Sequence, residues 1–164
     1  MRSKRLILII LMALGFAATA SAQYPRAFGI RGGYGLEVSY QHFLGDPHFL
    51  EVDLGLDLAG QRGFKVTGSY DFVIARPNIT RGGDWSIYLG PGLSAGYVYN
   101  KDAEDASFMV AGCLVLGMEF APWRHFGISL DFRPMYGWDF GGKKPYLGGL
   151  LSGLIPSLGV RFLF

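Results

Sequence analysis

The sequence contains a single cysteine, Cys113, among its 164 residues. One cysteine cannot form an internal disulfide, and this excludes the cysteine-stabilised scaffolds common among small exported domains. The fold must therefore be held together by packing and hydrogen bonds.

Long apolar runs are also scarce. The longest, residues 6–18, is shorter than the roughly 20 residues that a membrane-spanning helix needs, and no second run of this kind follows. It stands between a basic start, Met-Arg-Ser-Lys-Arg, and an Ala-Ser-Ala sequence at positions 20–22. This pattern predicts a signal peptide over residues 1–22, with an uncleaved amino-terminal anchor as the alternative. The mature chain would be one domain, residues 23–164.

No excess of positive charge remains after the signal peptide. Without Arg2, Lys4 and Arg5 the chain has 12 basic and 13 acidic residues, so no nucleic-acid partner is expected. The residue directly after Ala22 is Gln23 and not a cysteine, which argues against a lipid-anchored amino terminus.

Aromatic residues and glycine, by contrast, are abundant. There are 13 Phe, 9 Tyr, 3 Trp and 25 Gly, and half of all residues are hydrophobic. A small soluble exported domain keeps large apolar patches off its surface, so this composition is unusual for one. Because no second apolar helix exists, a membrane location would require strands.

Apolar and polar residues alternate with a period of two along most of the mature chain, which predicts strands with two different faces. The last strand ends the chain: Phe164, Phe162, Val160 and Leu158 lie on one face, and Arg161 lies on the other. Eight strands are predicted in all, at residues 26–32, 36–43, 50–58, 64–72, 85–99, 107–120, 125–136 and 154–164.

Eight antiparallel strands of about 9 to 11 residues suit a closed transmembrane barrel, because closure satisfies every backbone hydrogen bond within lipid. The predicted fold is therefore all-β, an eight-stranded antiparallel up-and-down β-barrel with both termini in the periplasm. The outside loops are expected near residues 33–35, 59–63, 100–106 and 137–149.

Periodicity alone does not say which face points inward, since a soluble lipocalin-like barrel would alternate too. The polar face is rich in small residues, among them Gly90, Gly92 and Ser94, whereas a solvated face would favour larger polar residues. Small residues suit the narrow interior of an eight-stranded barrel. Aromatic residues gather near the strand ends of the apolar face, as in interfacial girdles. The apolar face is therefore expected to face lipid, and Gly90 is expected to accept serine.

Four stretches resemble the small outer-membrane β-barrel protein family, which includes the barrel domains of outer membrane proteins A and X. They are Ile30-Arg31-Gly32-Gly33, Leu36-Glu37-Val38-Ser39-Tyr40-Gln41, Gly90-Pro91-Gly92 and Val160-Arg161-Phe162-Leu163-Phe164. The resemblance covers essentially the whole mature chain. It implies a location in the outer membrane of a Gram-negative cell envelope.

The same resemblance implies partners. Phe162 and Phe164 would be an insertion signal that the barrel assembly machinery reads. Outer-membrane lipids and lipopolysaccharide would surround the barrel. Apart from the resemblance, Lys143 and Lys144 are candidates to contact lipopolysaccharide phosphates, with the alternative that they only keep the loop soluble. The chain is expected to be monomeric.

Strand parity places four basic and seven acidic residues in the interior. Charges withdrawn from water persist only when they are paired or hydrated, so a network of ion pairs that closes the lumen is expected. The alternative is a path for ions, with the net charge of −3 favouring cations. The residues are Arg31, Glu37, Glu51, Asp53, Asp57, Lys65, Asp71, Glu119, Asp131, Arg133 and Arg161.

A lipid-modifying enzyme is a further alternative, with His125, Ser129 and Asp131 as base, nucleophile and orienting acid on the lumen face. The family's deacylase pattern, His and Ser two apart, is not met because residue 127 is glycine. No catalytic residue, cofactor or metal site is therefore assigned. The expected function is a structural or loop-mediated interaction role, with a narrow porin-like channel as the first alternative and the enzyme as the second.

Overall fold

The computed structural model describes residues 25–58, 62–100, 105–147 and 156–164. Within these ranges no helix has the length and apolar character needed to cross a membrane. The signal-peptide prediction, residues 1–22, lies outside the described residues.

Ten strand segments form one antiparallel sheet. They are β1 (Arg26–Gly32), β2 (Gly35–Gly45), β3 (His48–Asp57), β4 (Gly63–Ala75), β5 (Asp84–Asn100), β6 (Asp105–Trp123), β7 (Phe126–Phe132), β8 (Met135–Asp139), β9 (Lys144–Tyr146) and β10 (Ser157–Leu163). Several are longer than the sequence pattern predicts. The turn expected at residues 44–48 shrinks to Asp46 and Pro47 because β2 and β3 extend into it.

The sheet closes on itself. Its order is β5-β4-β3-β2-β1-β10-β7-β6-β8-β9, and β5 also pairs with β6. Among the described residues, every strand except β9 pairs on both edges, and β9 pairs with β8 alone. Closure thus satisfies most of the wall's backbone without a partner chain.

β7 and β8 together form the seventh barrel strand. Both pair with β6, and the interruption between them falls at Arg133 and Pro134. Pro134 has no N–H to donate to the ladder, but its carbonyl accepts a hydrogen bond from Leu114 N at 3.2 Å, so the register continues. The seventh strand therefore reaches Asp139, three residues beyond the predicted end at Tyr136.

β9 and β10 together form the eighth barrel strand, since β9 pairs with β8 and β10 pairs with β7. The prediction of one long loop at residues 137–149 is wrong: residues 137–139 and 144–146 are strands, joined by a turn at 140–143. Alternation was hard to recognise there because Gly141, Gly142 and Pro145 interrupt it. Residues 148–155 lie outside the described residues, and so does the predicted start of the last strand at 154–155.

Following paired residues once around the wall gives the stagger of the barrel. A circuit that starts at Ile128 returns to the same strand at Trp138, ten residues further along the chain. This shear tilts the strands by about 40° from the barrel axis. The circuit runs through Ile128, Val160, Ile30, Val38, Leu54, Val66, Ala95, Val110 and Trp138.

The two faces of the wall differ sharply. Every side chain of that circuit except Ala95 is a large apolar group exposed on the outside, with Leu54 at 50% exposure. Adjacent inward positions such as Asp53, Thr67 and Arg161 are buried. The barrel therefore carries its apolar face outward and its charged face inward, the reverse of a soluble lipocalin-like barrel.

Both described chain ends lie at one end of the barrel. Arg26 N donates to the carbonyl of Phe164 at 3.0 Å, and Phe164 N donates back to Arg26 at 2.9 Å. The β2–β3, β4–β5 and β6–β7 connections lie at this same end, which we call the terminal end. The β1–β2, β3–β4, β5–β6 and β8–β9 connections lie at the opposite end, which we call the loop end.

Candidate functional site

Five charged residues form a layer across the middle of the lumen, which we call the central ion-pair layer: Arg31, Glu51, Asp53, Arg133 and Arg161. Glu51 on β3 is fully buried and accepts hydrogen bonds from three guanidinium groups. The one from Arg161 spans 3.1 Å to Oε2. The amide of Gln41 adds a fourth, at 2.6 Å. Such convergence compensates the cost of removing the carboxylate from water.

Asp53 links two of the same cations. Its Oδ1 accepts from Arg31 at 2.8 Å, and its Oδ2 accepts from Arg133. Because β1, β3, β10 and the junction of β7 and β8 each supply one or two members, the layer connects strands that are far apart in the sequence.

Two further carboxylates border the central ion-pair layer. Glu119 Oε2 accepts from Arg161 at 2.7 Å. Asp131 accepts from the Tyr88 hydroxyl and from Ser129 Oγ at 3.1 Å, and it lies 3.5 Å from Arg31 Nε. Tyr88 also accepts a hydrogen bond from Arg161 at 3.2 Å.

A smaller group lies toward the loop end. Lys65 Nζ is 2.7 Å from Asp57 and 3.4 Å from Glu37. Glu37 is in turn 3.8 Å from Arg31, which connects this group to the central layer.

Asp71 is separate from these pairs. It faces the interior and accepts from Ser69 Oγ at 2.5 Å, but it has no ion pair among the described residues, and its Oδ1 is buried without a hydrogen bond there. Asp139 is a further inward carboxylate that the sequence analysis assigned to a loop. It accepts from Gly142 N at 3.2 Å and so caps the turn after β8. Strand parity carried past Tyr136 would have identified it.

Interior glycines create the space for the large charged side chains. A Cβ on Gly29 would lie 2.6 Å from Arg161 Cγ, and one on Gly117 would overlap the ring of Tyr88. Gly90 is similar, because its Cβ would lie 2.7 Å from Asp71 Cα and closer still to the Tyr70 carbonyl. The expectation that Gly90 accepts serine is therefore wrong. Gly90 faces the lumen, but the neighbouring strand β4 occupies the space that its side chain would need.

Part of the interior is apolar, in contrast to the charged lumen that strand parity predicts. These residues lie mostly on β5 and β6, with the others on β3, β4, β8 and β9. Parity could have found Phe49 and Val73, which are two residues from Glu51 and Asp71. The cluster is Phe49, Val73, Tyr88, Val98, Met109, Ala111, Cys113, Val115, Met135 and Tyr146.

The three residues proposed for an enzyme do not form a triad. Ser129 and Asp131 are inward and hydrogen-bonded, but His125 is exposed at the terminal end, and its ring stacks on outward-facing Phe162 at 5.8 Å. Its Nδ1 lies 3.1 Å from the carbonyl of Leu163. The placement of His125 on the lumen face is wrong because β7 begins at Phe126, after the turn.

Phe162 and Phe164 both face outward at the terminal end, with ring centroids 6.1 Å apart.

Within the described ranges, no three His, Cys, Asp or Glu side chains are grouped so that they could hold a metal ion.

Cavities lie on both sides of the central ion-pair layer. One of about 470 Å³ is at the terminal end, between the ends of the strands and the β4–β5 connection. Another of about 30 Å³ lies toward the loop end, next to Arg31, Lys65 and Arg133. The charged side chains stand between the two.

Comparison with known proteins shows which solved structures share this architecture. No family model matches the chain, and no curated protein matches it. Among solved structures, the barrel is similar to the N-terminal β-barrel domain of Pseudomonas aeruginosa OprF, with a TM-score of 0.57 and 16% identity over 85% of this chain and 95% of that one. It is also similar to Neisserial surface protein A, NspA, with a TM-score of 0.51 and 12% identity over 85% of this chain and 93% of that one. The chain therefore has the fold of the small eight-stranded outer-membrane β-barrels.

Proposed function

We propose that this protein is an outer-membrane barrel with a closed lumen, which acts as a structural element of the membrane or as a scaffold for its loops. Its export would use residues 1–22 as a signal peptide. The terminal end would face the periplasm, and the loop end would face outside.

The outward apolar face supports the membrane location. Large side chains such as Leu54, Leu93 and Val160 are exposed around the whole circumference. In water this surface would drive aggregation, whereas in a bilayer it is the face that lipid solvates.

The central ion-pair layer carries the proposal of a closed lumen. Arg31, Glu51, Asp53 and Arg161 are each at most 1% exposed, and each is bonded to another member of the layer. Moving an ion through the layer would require these bonds to break in a site where the charged groups are withdrawn from solvent.

Two contacts with the surroundings complete the proposal. Phe162 and Phe164 would be read by the barrel assembly machinery during insertion. Lys143 and Lys144, at the loop end, would contact lipopolysaccharide phosphates. We further propose that the barrel is monomeric.

A narrow channel is the second candidate, because a cavity lies on each side of the central ion-pair layer. The side chains of this layer separate the two cavities, so the channel would require them to rearrange.

Conductance of the refolded full chain in a planar bilayer distinguishes the two functions. We expect no discrete openings from the wild-type protein or from Asp53→Asn. The double variant Arg133→Ser/Asp53→Ser removes one cation and one anion and shortens both side chains, so it should conduct and thereby validate the assay. Openings in the wild type, with a cation preference that falls in Asp53→Asn, would replace the closed barrel with the channel.

A further inference from the structure

The cavity at the terminal end has the size of a ligand site. Its volume of about 470 Å³ falls within the usual range of about 300 to 1,000 Å³ for small-molecule pockets. It lies between the central ion-pair layer and the terminal end. A ligand could occupy it whether or not that layer conducts ions. We call it the terminal cavity.

Its wall is aromatic and apolar. Phe43 and Phe49 have ring centroids 5.1 Å apart, and Phe49 meets Tyr88 edge-on at 5.3 Å, so three rings form a continuous surface along the cavity. Val73 and Leu163 add aliphatic surface. This lining would remove the hydrocarbon part of a ligand from water.

The charges at the cavity are acidic. Glu119 lines it with a side chain that is 12% exposed, and within the described ranges only Oε2 has a hydrogen-bond donor, which is Arg161. The second oxygen, Oε1, has none there. Asp84 contributes a second carboxylate, which has no ion pair in the described part of the chain.

The cation that lines the cavity is already neutralised. Arg76 donates to both carboxylate oxygens of Asp46, at 2.7 and 3.0 Å. Among the described residues that line the cavity, an anionic ligand would thus meet two carboxylates and no unpaired guanidinium, whereas a cation would meet two carboxylates and the faces of aromatic rings.

We propose that the terminal cavity binds a small organic cation, a protonated amine on an aromatic or aliphatic body, which enters from the terminal end. The amine interacts with Glu119 and Asp84, and the hydrocarbon body packs on the aromatic wall. This site goes beyond the proposed structural role. Only the side of the membrane from which the ligand enters, the periplasm if the terminal end faces it, depends on the orientation proposed above.

Three probes with the same ring test the proposal: 2-phenylethylamine, 2-phenylethanol and 3-phenylpropionate. Titration of the refolded full chain in detergent, followed by calorimetry and by NMR shifts of cavity methyl groups, should show saturable binding of the amine. The alcohol should bind more weakly, and the carboxylate should not bind. Equal affinity for all three probes would overturn the proposal, because it would indicate hydrophobic partition alone.

Variants locate the site. Asp84→Asn at the exposed rim should weaken amine binding by about two- to fivefold, and Glu119→Gln should weaken it by about tenfold or more. Neither should change binding of the alcohol by a similar factor. Asp139→Asn, which removes a carboxylate at the loop end, is the matched control and should leave amine binding unchanged. The same loss in Asp139→Asn as in Asp84→Asn would overturn the site.

Filling the cavity gives an independent test. Val73→Phe should abolish saturable amine binding while partition into the detergent persists. If Val73→Phe does not fold, Ser86→Phe at the rim takes its place, because Ser86 also lines the cavity. Unchanged binding in a folded filling variant would place the amine elsewhere and end the proposal.

Discussion

Arg161 Nη2 lies 3.1 Å from Glu51 Oε2, although the two residues are 110 positions apart in the sequence. One is on the last strand and the other on the third, so their contact crosses the lumen and does not follow a strand pairing. The wall brings the strands together through backbone hydrogen bonds, and this contact joins opposite sides of it.

Glu51→Gln should be strongly destabilising. It leaves three arginines with less negative charge in a buried site, which typically costs about 3 to 5 kcal/mol. Denaturant unfolding of the refolded protein in detergent, followed by tryptophan fluorescence, measures the loss. Glu37→Gln is the control, because the Glu37 side chain is 14% exposed and its pairs are longer, at 3.4 and 3.8 Å. It should cost about 1 kcal/mol or less, and an equal loss in both variants would contradict a central role for Glu51.

Gly90→Ala should also destabilise the barrel, by about 1 to 3 kcal/mol, because the new methyl group meets the backbone of the neighbouring strand. Gly68→Ala is the matched control: Gly68 faces outward, and nothing lies within 4 Å of the position its Cβ would take. It should be neutral or slightly stabilising, since alanine loses less backbone entropy than glycine. Unfolding midpoints compare the two, and equal midpoints would contradict the assigned faces.

Leu54→Arg tests the lipid-facing surface. Leu54 lies in the middle of β3 on the outside, where a charge should cost about 2 to 4 kcal/mol in a bilayer. Leu58, just beyond the end of β3 on the same face, lies near the predicted interface, and Leu58→Arg should cost about 1 kcal/mol or less. Refolding yield and unfolding free energy in phospholipid vesicles give both values. Equal costs would contradict an apolar band at that depth.

The double variant Phe162→Ala/Phe164→Ala tests the insertion signal. It should assemble more slowly in vesicles that contain the barrel assembly machinery, yet fold normally in detergent, where no receptor reads the chain end. Phe126→Ala is the control, because Phe126 lies directly beside Phe162 on the neighbouring strand but is not part of the chain end. A similar folding defect in the double variant and in Phe126→Ala, in both the vesicles and detergent, would indicate that these residues act through packing alone.

Much of the barrel could be predicted from the sequence because alternation is a local property. Leu50, Val52 and Leu54 alternate with Glu51 and Asp53, and this fixes the two faces of β3 wherever the strand lies. The inward orientation of Arg31 and Arg161 can be predicted in the same way. The contacts of Arg31 and Arg161 with Glu51 could not be predicted, since they depend on the stagger of ten residues around the wall, which no single strand encodes.

Strand ends were harder to predict. β8 and β9 are short and contain Gly137, Gly142 and Pro145 in or beside them, so their pattern resembled a loop. His125 does not follow the alternation of strand seven because it lies in the turn before Phe126, where the side chain need not keep the parity of the strand. The lack of space for a side chain at Gly90 could not be predicted from its own strand either, because the atoms that fill the space belong to β4.

The pairing of the first and last strands has a consequence for how the cylinder finds its correct closure. In the β1–β10 ladder, Arg31 lies opposite Gly159, and Arg161 lies opposite Gly29. A slip of one residue would turn both Arg161 and Ser157 toward the hydrocarbon and bring Phe162 inside. A slip of two residues in one direction would set Arg161 directly opposite Arg31, two like charges side by side. These slipped pairings are unfavourable because they either turn a charge toward the hydrocarbon or place two like charges together. The correct alignment of β1 and β10 is therefore favoured while the barrel closes.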